Sequence, residues 1–158
     1  ESRNSIIDFY QEVDGSGGKS LNMPAGGSLL PPSCDTVKNR LHYVKQDGPA
    51  VFKYATRKME EISRLILERN VFKPADIGLL IPHQANARII RGTAARLGLR
   101  DDQVVVNLQK YGNTTAATIP LAMQDAITEQ RLKKGDLVLL ASVGAGFTVG
   151  AALLRWAF

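Results

Sequence analysis

The chain reads as an α/β layered domain built on a mixed, partly parallel five-stranded sheet. Three observations predict this. Short apolar runs alternate with longer segments of helical period. The runs "DIGLLIP" (76–82) and "QVVVNL" (103–108) are rich in aliphatic residues, as strands buried on both faces are. A length of 158 residues suffices for a single core, so residues 1–158 are taken as one domain.

Composition narrows the class. With 44% hydrophobic and 22% charged residues, the chain is expected to pack rather than remain disordered. A formal charge of +5 favours an anionic partner, but Lys and Arg lack the dense clustering of a nucleic-acid binder. The single cysteine, Cys34, excludes an intramolecular disulfide framework and fits a reducing compartment, so a cytoplasmic location is expected. The chain opens "ESRNSIIDFY", without Met or a basic-then-apolar leader, and reads as an internal start.

Each element has its own signal. "SIIDFYQEV" (5–13) has strand composition and "DGSGG" (14–18) ends it in a turn. "NMPAGGSLLPPSCDT" (22–36) reads as a long loop of the kind that is usually functional or mobile. From Pro49 to Arg69, Val51, Phe52, Ala55, Met59, Ile62, Leu65 and Ile66 recur at three- and four-residue steps, the period of an amphipathic helix, and Pro49 suits its first turn. Strand 76–82 leads into a helix over 86–98 closed by Gly98, and 103–108 reads as a further strand. "TTAATIPLAMQDAITEQRL" (114–132) reads as a helix in which Pro120 marks a kink or a later start. The uncharged run at 137–154 approaches the length of a membrane span, yet Gly144, Gly146 and Gly150 interrupt it and its β-branched residues favour two buried strands joined at "VGAG".

In such sheets, ligand groups collect at the carboxyl ends of strands. Three polar features fall there. His83 follows the strand ending at Pro82, Asn113 follows the strand ending near Leu108, and "VGAG" follows a strand ending at Ala141. Singly, each suits a structural role: a hydrogen-bonded histidine, a helix cap, a turn. Neighbouring strands would bring all three within reach of one point.

"IPHQANARI", then "GNTTAATIP" with Asn113 thirty positions after His83, then "GAGFTVGAALLRW" resemble the carboxyl half of β-ketoacyl-acyl carrier protein synthase III, a condensing enzyme of the thiolase-like superfamily. "DGSGG", "MPAGGS" and "GPAVFK" also look like that family, and the resemblance runs from about Asp14 to the end. It implies a thiolase-like C-terminal half, a homodimer, a Cys-His-Asn site and a decarboxylative Claisen condensation. The substrates implied are an acyl-CoA primer such as acetyl-CoA and malonyl-acyl carrier protein, with no permanently bound cofactor and no metal. Neither nucleic acid nor a membrane is an expected partner.

The implied roles fall on particular residues. His83 and Asn113 would donate N–H groups to the thioester oxygen that becomes negative when malonyl loses CO₂. The backbone N–H of Ala145 would serve a second oxyanion. Gly48, Phe52 and Asn86 match positions lining the pantetheine channel; Pro49 stands where relatives commonly carry Asn, which removes one polar group from that channel. Arg88 matches a position implicated in docking the acidic carrier protein, and Arg91, Arg96 and Lys53 would enlarge that positive surface. The family's nucleophilic cysteine belongs to an amino-terminal half that this chain does not contain. Cys34, in the Pro-flanked "PPSCD", is read as incidental, and the chain alone is expected to have no synthase turnover. Two alternatives stay open: a non-catalytic module that binds acyl carrier protein or CoA, and a neighbouring condensing enzyme of quinolone, polyketide or hydroxymethylglutaryl-CoA synthesis. The primer's chain length is not encoded in these residues.

Overall fold

A computed structural model describes residues 6–158. In chain order it contains β1 (Ile6–Val13), β2 (Leu21–Asn22), α1 (Cys34–Lys38), β3 (Lys45–Gln46), α2 (Gly48–Arg69), β4 (Leu79–Pro82), α3 (Ala87–Leu97), α4 (Leu108–Tyr111), α5 (Thr118–Thr128), β5 (Leu137–Gly144) and β6 (Thr148–Arg155), with short 3₁₀ turns between some of them. The main sheet has the order β1-β6-β5-β4. β1 and β6 are antiparallel, as are β6 and β5, whereas β4 lies parallel to β5 with Leu79 opposite Val138 and Pro82 opposite Ala141. The sheet is therefore mixed, and β4 and β5 deliver their carboxyl ends to the same edge.

Strand alternation sends side chains to two cores. Leu80, Leu139, Ala141, Val149, Ala151 and Leu153 pack with Ala55, Met59, Ile62 and Ile66 of α2 and Ile90 and Ala94 of α3. Leu79, Ile81 and Val138 face the other way, against Ala122 and Ala126 of α5. α2 forms where its period predicts: Asp47 caps it by accepting the Ala50 N–H at 3.1 Å, and Pro49 occupies the first turn, where no intrahelical donor is lost. The run at 137–154 is the β5–β6 hairpin, and no helix among the described residues is long and apolar enough to cross a membrane.

Four expectations are corrected. The fifth strand, 103–108, is reduced to one bridge in which the Val105 N–H donates to the Leu80 carbonyl at 3.0 Å. In a parallel ladder the next donor, to the Val105 carbonyl, would be the N–H of residue 82, and Pro82 has none. Gln84 Nε2 donates to that carbonyl instead, at 3.0 Å, and the chain turns into α4, so Asn113 follows a helix and not a strand. The helix over 114–132 begins only at Thr118 and ends at Thr128, which places Pro120 in the first turn, so the proline marks a later start and no kink. Cys34 is not in a loop: it opens the five-residue α1, capped by Ser33 in a capping box with Thr36, and is exposed. Finally, β5 continues past Ala141 to Gly144 before the "GAG" turn.

Candidate active site

His83 sits one residue beyond β4, and its backbone N–H donates to the Ala141 carbonyl at 2.8 Å, so the β4–β5 pairing continues through it. Its ring is half-buried, and burial holds the imidazole below the ordinary histidine value, favouring the neutral form. Nδ1 lies 2.6 Å from Thr118 Oγ1 at the start of α5. Thr118 Oγ1 is also 3.0 Å from the Thr115 carbonyl, and the Thr115 N–H donates to Asn113 Oδ1 at 3.1 Å. A line of close polar contacts thus runs from His83 through Thr118 and Thr115 to Asn113.

The Thr115 N–H engages Asn113 Oδ1, and the Nδ2 hydrogens of the exposed amide have no hydrogen-bond partner among the described residues. Thr115 adopts φ 52°, an uncommon conformation for a residue with a Cβ, and is the residue whose N–H and carbonyl join the two side chains.

The segment carrying Asn113 is anchored below. Gln84, buried to 1% exposure, donates from Nε2 to the Pro82 and Val105 carbonyls at 2.9 and 3.0 Å and accepts the Asn107 N–H at 3.0 Å. Asp125, on α5, accepts from Asn107 Nδ2 at 2.9 Å, Lys110 Nζ at 2.8 Å and the Tyr111 hydroxyl at 3.1 Å. Lys110 foremost, then the Asn107 amide, holds the Asp125 carboxyl below the usual carboxylate range. Gln84 was visible inside "PHQAN", but nothing local in the sequence links it to Val105 or Asn107; Asp125, on a helical face, carries no sequence signal either.

Of the remaining predicted positions, the structure joins Asn86, Arg88 and Phe52. Asn86 caps α3, its Oδ1 accepting the Arg88 N–H at 2.8 Å. The Arg88 guanidinium lies over the Phe52 ring at 5.1 Å, bringing the starts of α2 and α3 together. Arg88, Arg91, Arg96 and Lys53 are exposed, as is Gly48 at the first position of α2. Ala145 is exposed in the β5–β6 turn, and no backbone hydrogen bond among the described residues uses its N–H. Gly146, at φ 146°, could not carry a Cβ, which would meet Thr148 Oγ1 at 2.7 Å. Phe147 then stacks on Tyr54 with ring centroids 4.2 Å apart and covers Gly17, so "DGSGG" serves the same turn. No hydrogen bond among the described residues joins Ala145 to His83 or Asn113.

A layered α/β unit with a mixed sheet, presenting a histidine at the carboxyl edge and an asparagine linked to it by way of two threonines, has the fold of the thiolase-like condensing enzymes. Residues 67–156 match the family described as 3-oxoacyl-[acyl-carrier-protein (ACP)] synthase III C terminal. The chain belongs to that family. It is 63% identical over 153 residues to the β-ketoacyl-[acyl-carrier-protein] synthase III of Solibacter usitatus, covering 97% of this chain and 46% of that protein. The corresponding synthase of Koribacter versatilis is 56% identical, with the same shares. The crystal structure of 3-oxoacyl-[acyl-carrier-protein] synthase III from Aquifex aeolicus superposes with a TM-score of 0.86 at 39% identity, over 99% of this chain and 46% of that one. The chain spans about half the length of the relatives it matches.

Proposed function

We propose that this chain is the His/Asn half of a 3-oxoacyl-acyl carrier protein synthase III that joins an acyl-CoA primer, such as acetyl-CoA, to malonyl-acyl carrier protein and so initiates fatty acid synthesis. The observation that carries the reading is the arrangement of His83, Thr118, Thr115 and Asn113, which leaves one imidazole nitrogen and one amide NH₂ free of intramolecular partners among the described residues. A binding surface alone would need neither.

The chemistry follows from what those groups offer. The carboxylate of the malonyl thioester leaves as CO₂, and the bonding pair moves through Cα onto the thioester oxygen as an enolate. Two fixed donors, His83 Nε2–H and Asn113 Nδ2–H, stabilise that oxygen without a general base. The enolate carbon attacks the acyl thioester on a cysteine supplied by the amino-terminal half; the tetrahedral oxyanion collapses and expels the thiolate. The Ala145 N–H is offered to that second oxyanion. Gly48, Phe52 and Asn86 would border the pantetheine arm, while Arg88, Arg91 and Lys53 would face the acidic carrier protein.

The partners are then the amino-terminal half, the carrier protein and, in the full-length form, a second copy in a cytoplasmic homodimer. A part of the sheet exposed among the described residues is in keeping with a further half. Beside α5, a groove lined by Phe9, Ile119, Leu140, Ser142, Gly150 and Ala152 remains open, and Phe9 is 68% exposed. In the complete enzyme, His83→Ala or Asn113→Ala should each slow malonyl decarboxylation about 10²- to 10³-fold while sparing cysteine acylation. Equal loss of both steps would remove this division of labour, and undiminished decarboxylation would favour the non-catalytic binding module.

A further inference from the structure

Thr118 is 2% exposed, and its hydroxyl lies between two possible partners: His83 Nδ1 at 2.6 Å and the Thr115 carbonyl at 3.0 Å. A hydroxyl has one hydrogen. The two bonds therefore require opposite states of a neutral His83. If the hydrogen goes to Thr115, the imidazole must donate from Nδ1, and Nε2 is left with a lone pair that would repel an enolate. If it goes to Nδ1, the ring proton resides on Nε2, the nitrogen with no hydrogen-bond partner among the described residues.

Of the two contacts, the one to Nδ1 is the closer, 2.6 Å against 3.0 Å to the Thr115 carbonyl. An imidazole lone pair is also a stronger acceptor than a peptide carbonyl. We infer that the Thr118 hydroxyl donates to His83 Nδ1 and holds the imidazole as its Nε2–H tautomer, which makes Thr118 a positioning residue for decarboxylation and condensation. The inference rests on the proposed role of His83 as an enolate donor. Thr118 touches no reacting atom; it acts through the ring.

The test uses the complete synthase labelled with ¹⁵N-histidine, with the His83 signals assigned by their loss in His83→Gln. Wild type should show a protonated Nε2 and an unprotonated Nδ1. Thr118→Val, close in shape but unable to donate, should move the ring toward the other tautomer and lower kcat for decarboxylation and condensation about ten- to a hundredfold. KM for the malonyl substrate and the rate of cysteine acylation should stay unchanged, and Thr118→Ser should restore both tautomer and rate. A wild-type ring protonated on Nδ1, or a Thr118→Val enzyme with wild-type tautomer and kcat, overturns the inference. Should the valine variant not fold, the wild-type spectrum still decides. If His83→Ala leaves decarboxylation intact, the reading of His83 fails; if His83→Ala abolishes it while wild type is Nδ1-protonated, only the role of Thr118 fails.

Discussion

The Arg88 guanidinium rests 5.1 Å above the Phe52 ring, so the residue matched to carrier-protein docking and the residue matched to the pantetheine channel are one contact. The ring fixes the direction of the cation. At an exposed site such a pair is worth about 0.5–1 kcal/mol, too little to hold the fold and enough to orient a charge.

Arg88→Ala should therefore weaken use of the carrier-bound substrate much more than use of a small malonyl thioester. The expected signature is a KM for malonyl-acyl carrier protein raised about tenfold, with a reduced dependence on ionic strength, since a steering charge has been removed. Lys53→Ala, lacking the aromatic contact, should do less. Steady-state kinetics at two salt concentrations check this, and equal loss with both substrates would make Arg88 a structural residue.

Gln84 should be costly to replace. Gln84→Ala leaves the Asn107 N–H and the Val105 carbonyl without their side-chain partners inside the protein, a loss of about 1–3 kcal/mol. Urea unfolding measures it. Because Gln84 also ties β4 to the segment that reaches Asn113, decarboxylation should fall further than cysteine acylation.

Gln84 marks the limit of what was legible in the sequence. α2 could be placed because its period depends only on its own residues, and the ends of α3 because Asn86 and Gly98 act locally, Gly98 adopting φ 71°. The 103–108 strand could not be judged that way: its aliphatic run looks like a strand, and it fails to pair because a different segment offers Pro82 in place of a donor. His83 and Asn113 could be found by motif, but Thr118, Gln84 and Asp125 act across 14 to 35 positions of chain, where no local pattern points.

Asp125 predicts an acid dependence. Its carboxyl is held below the ordinary value of about 3.9 by Lys110 first and Asn107 next, and Lys110 is correspondingly raised. A depressed folded value means the stabilisation is complete above the unfolded value and is lost as pH falls through the folded one. Asp125→Asn should therefore be less stable at pH 7 and should show a flatter decline of stability below about pH 4. Chemical denaturation across that window tests the sign; a steeper decline in the variant would contradict the assignment.

The β5–β6 turn supplies the sharpest steric comparison. A Cβ on Gly17 would sit 2.1 Å from Phe147 Cδ2, whereas one on Gly15 meets nothing within 4 Å. Phe147 cannot retreat easily, since its ring stacks on Tyr54 and its carbonyl accepts the Asp14 N–H at 2.7 Å. Gly17→Ala should thus destabilise the protein by about 1–3 kcal/mol, the range of overpacked cores, while Gly15→Ala stays near wild type. The displacement would be passed along Phe147 and Gly146 to Ala145, so Gly17→Ala should also slow cysteine acylation if the Ala145 N–H meets that oxyanion. Thermal unfolding and single-turnover acylation on the same two variants separate the effects: lost stability with normal acylation would confine Gly17 to packing and leave the Ala145 N–H without a part in that step.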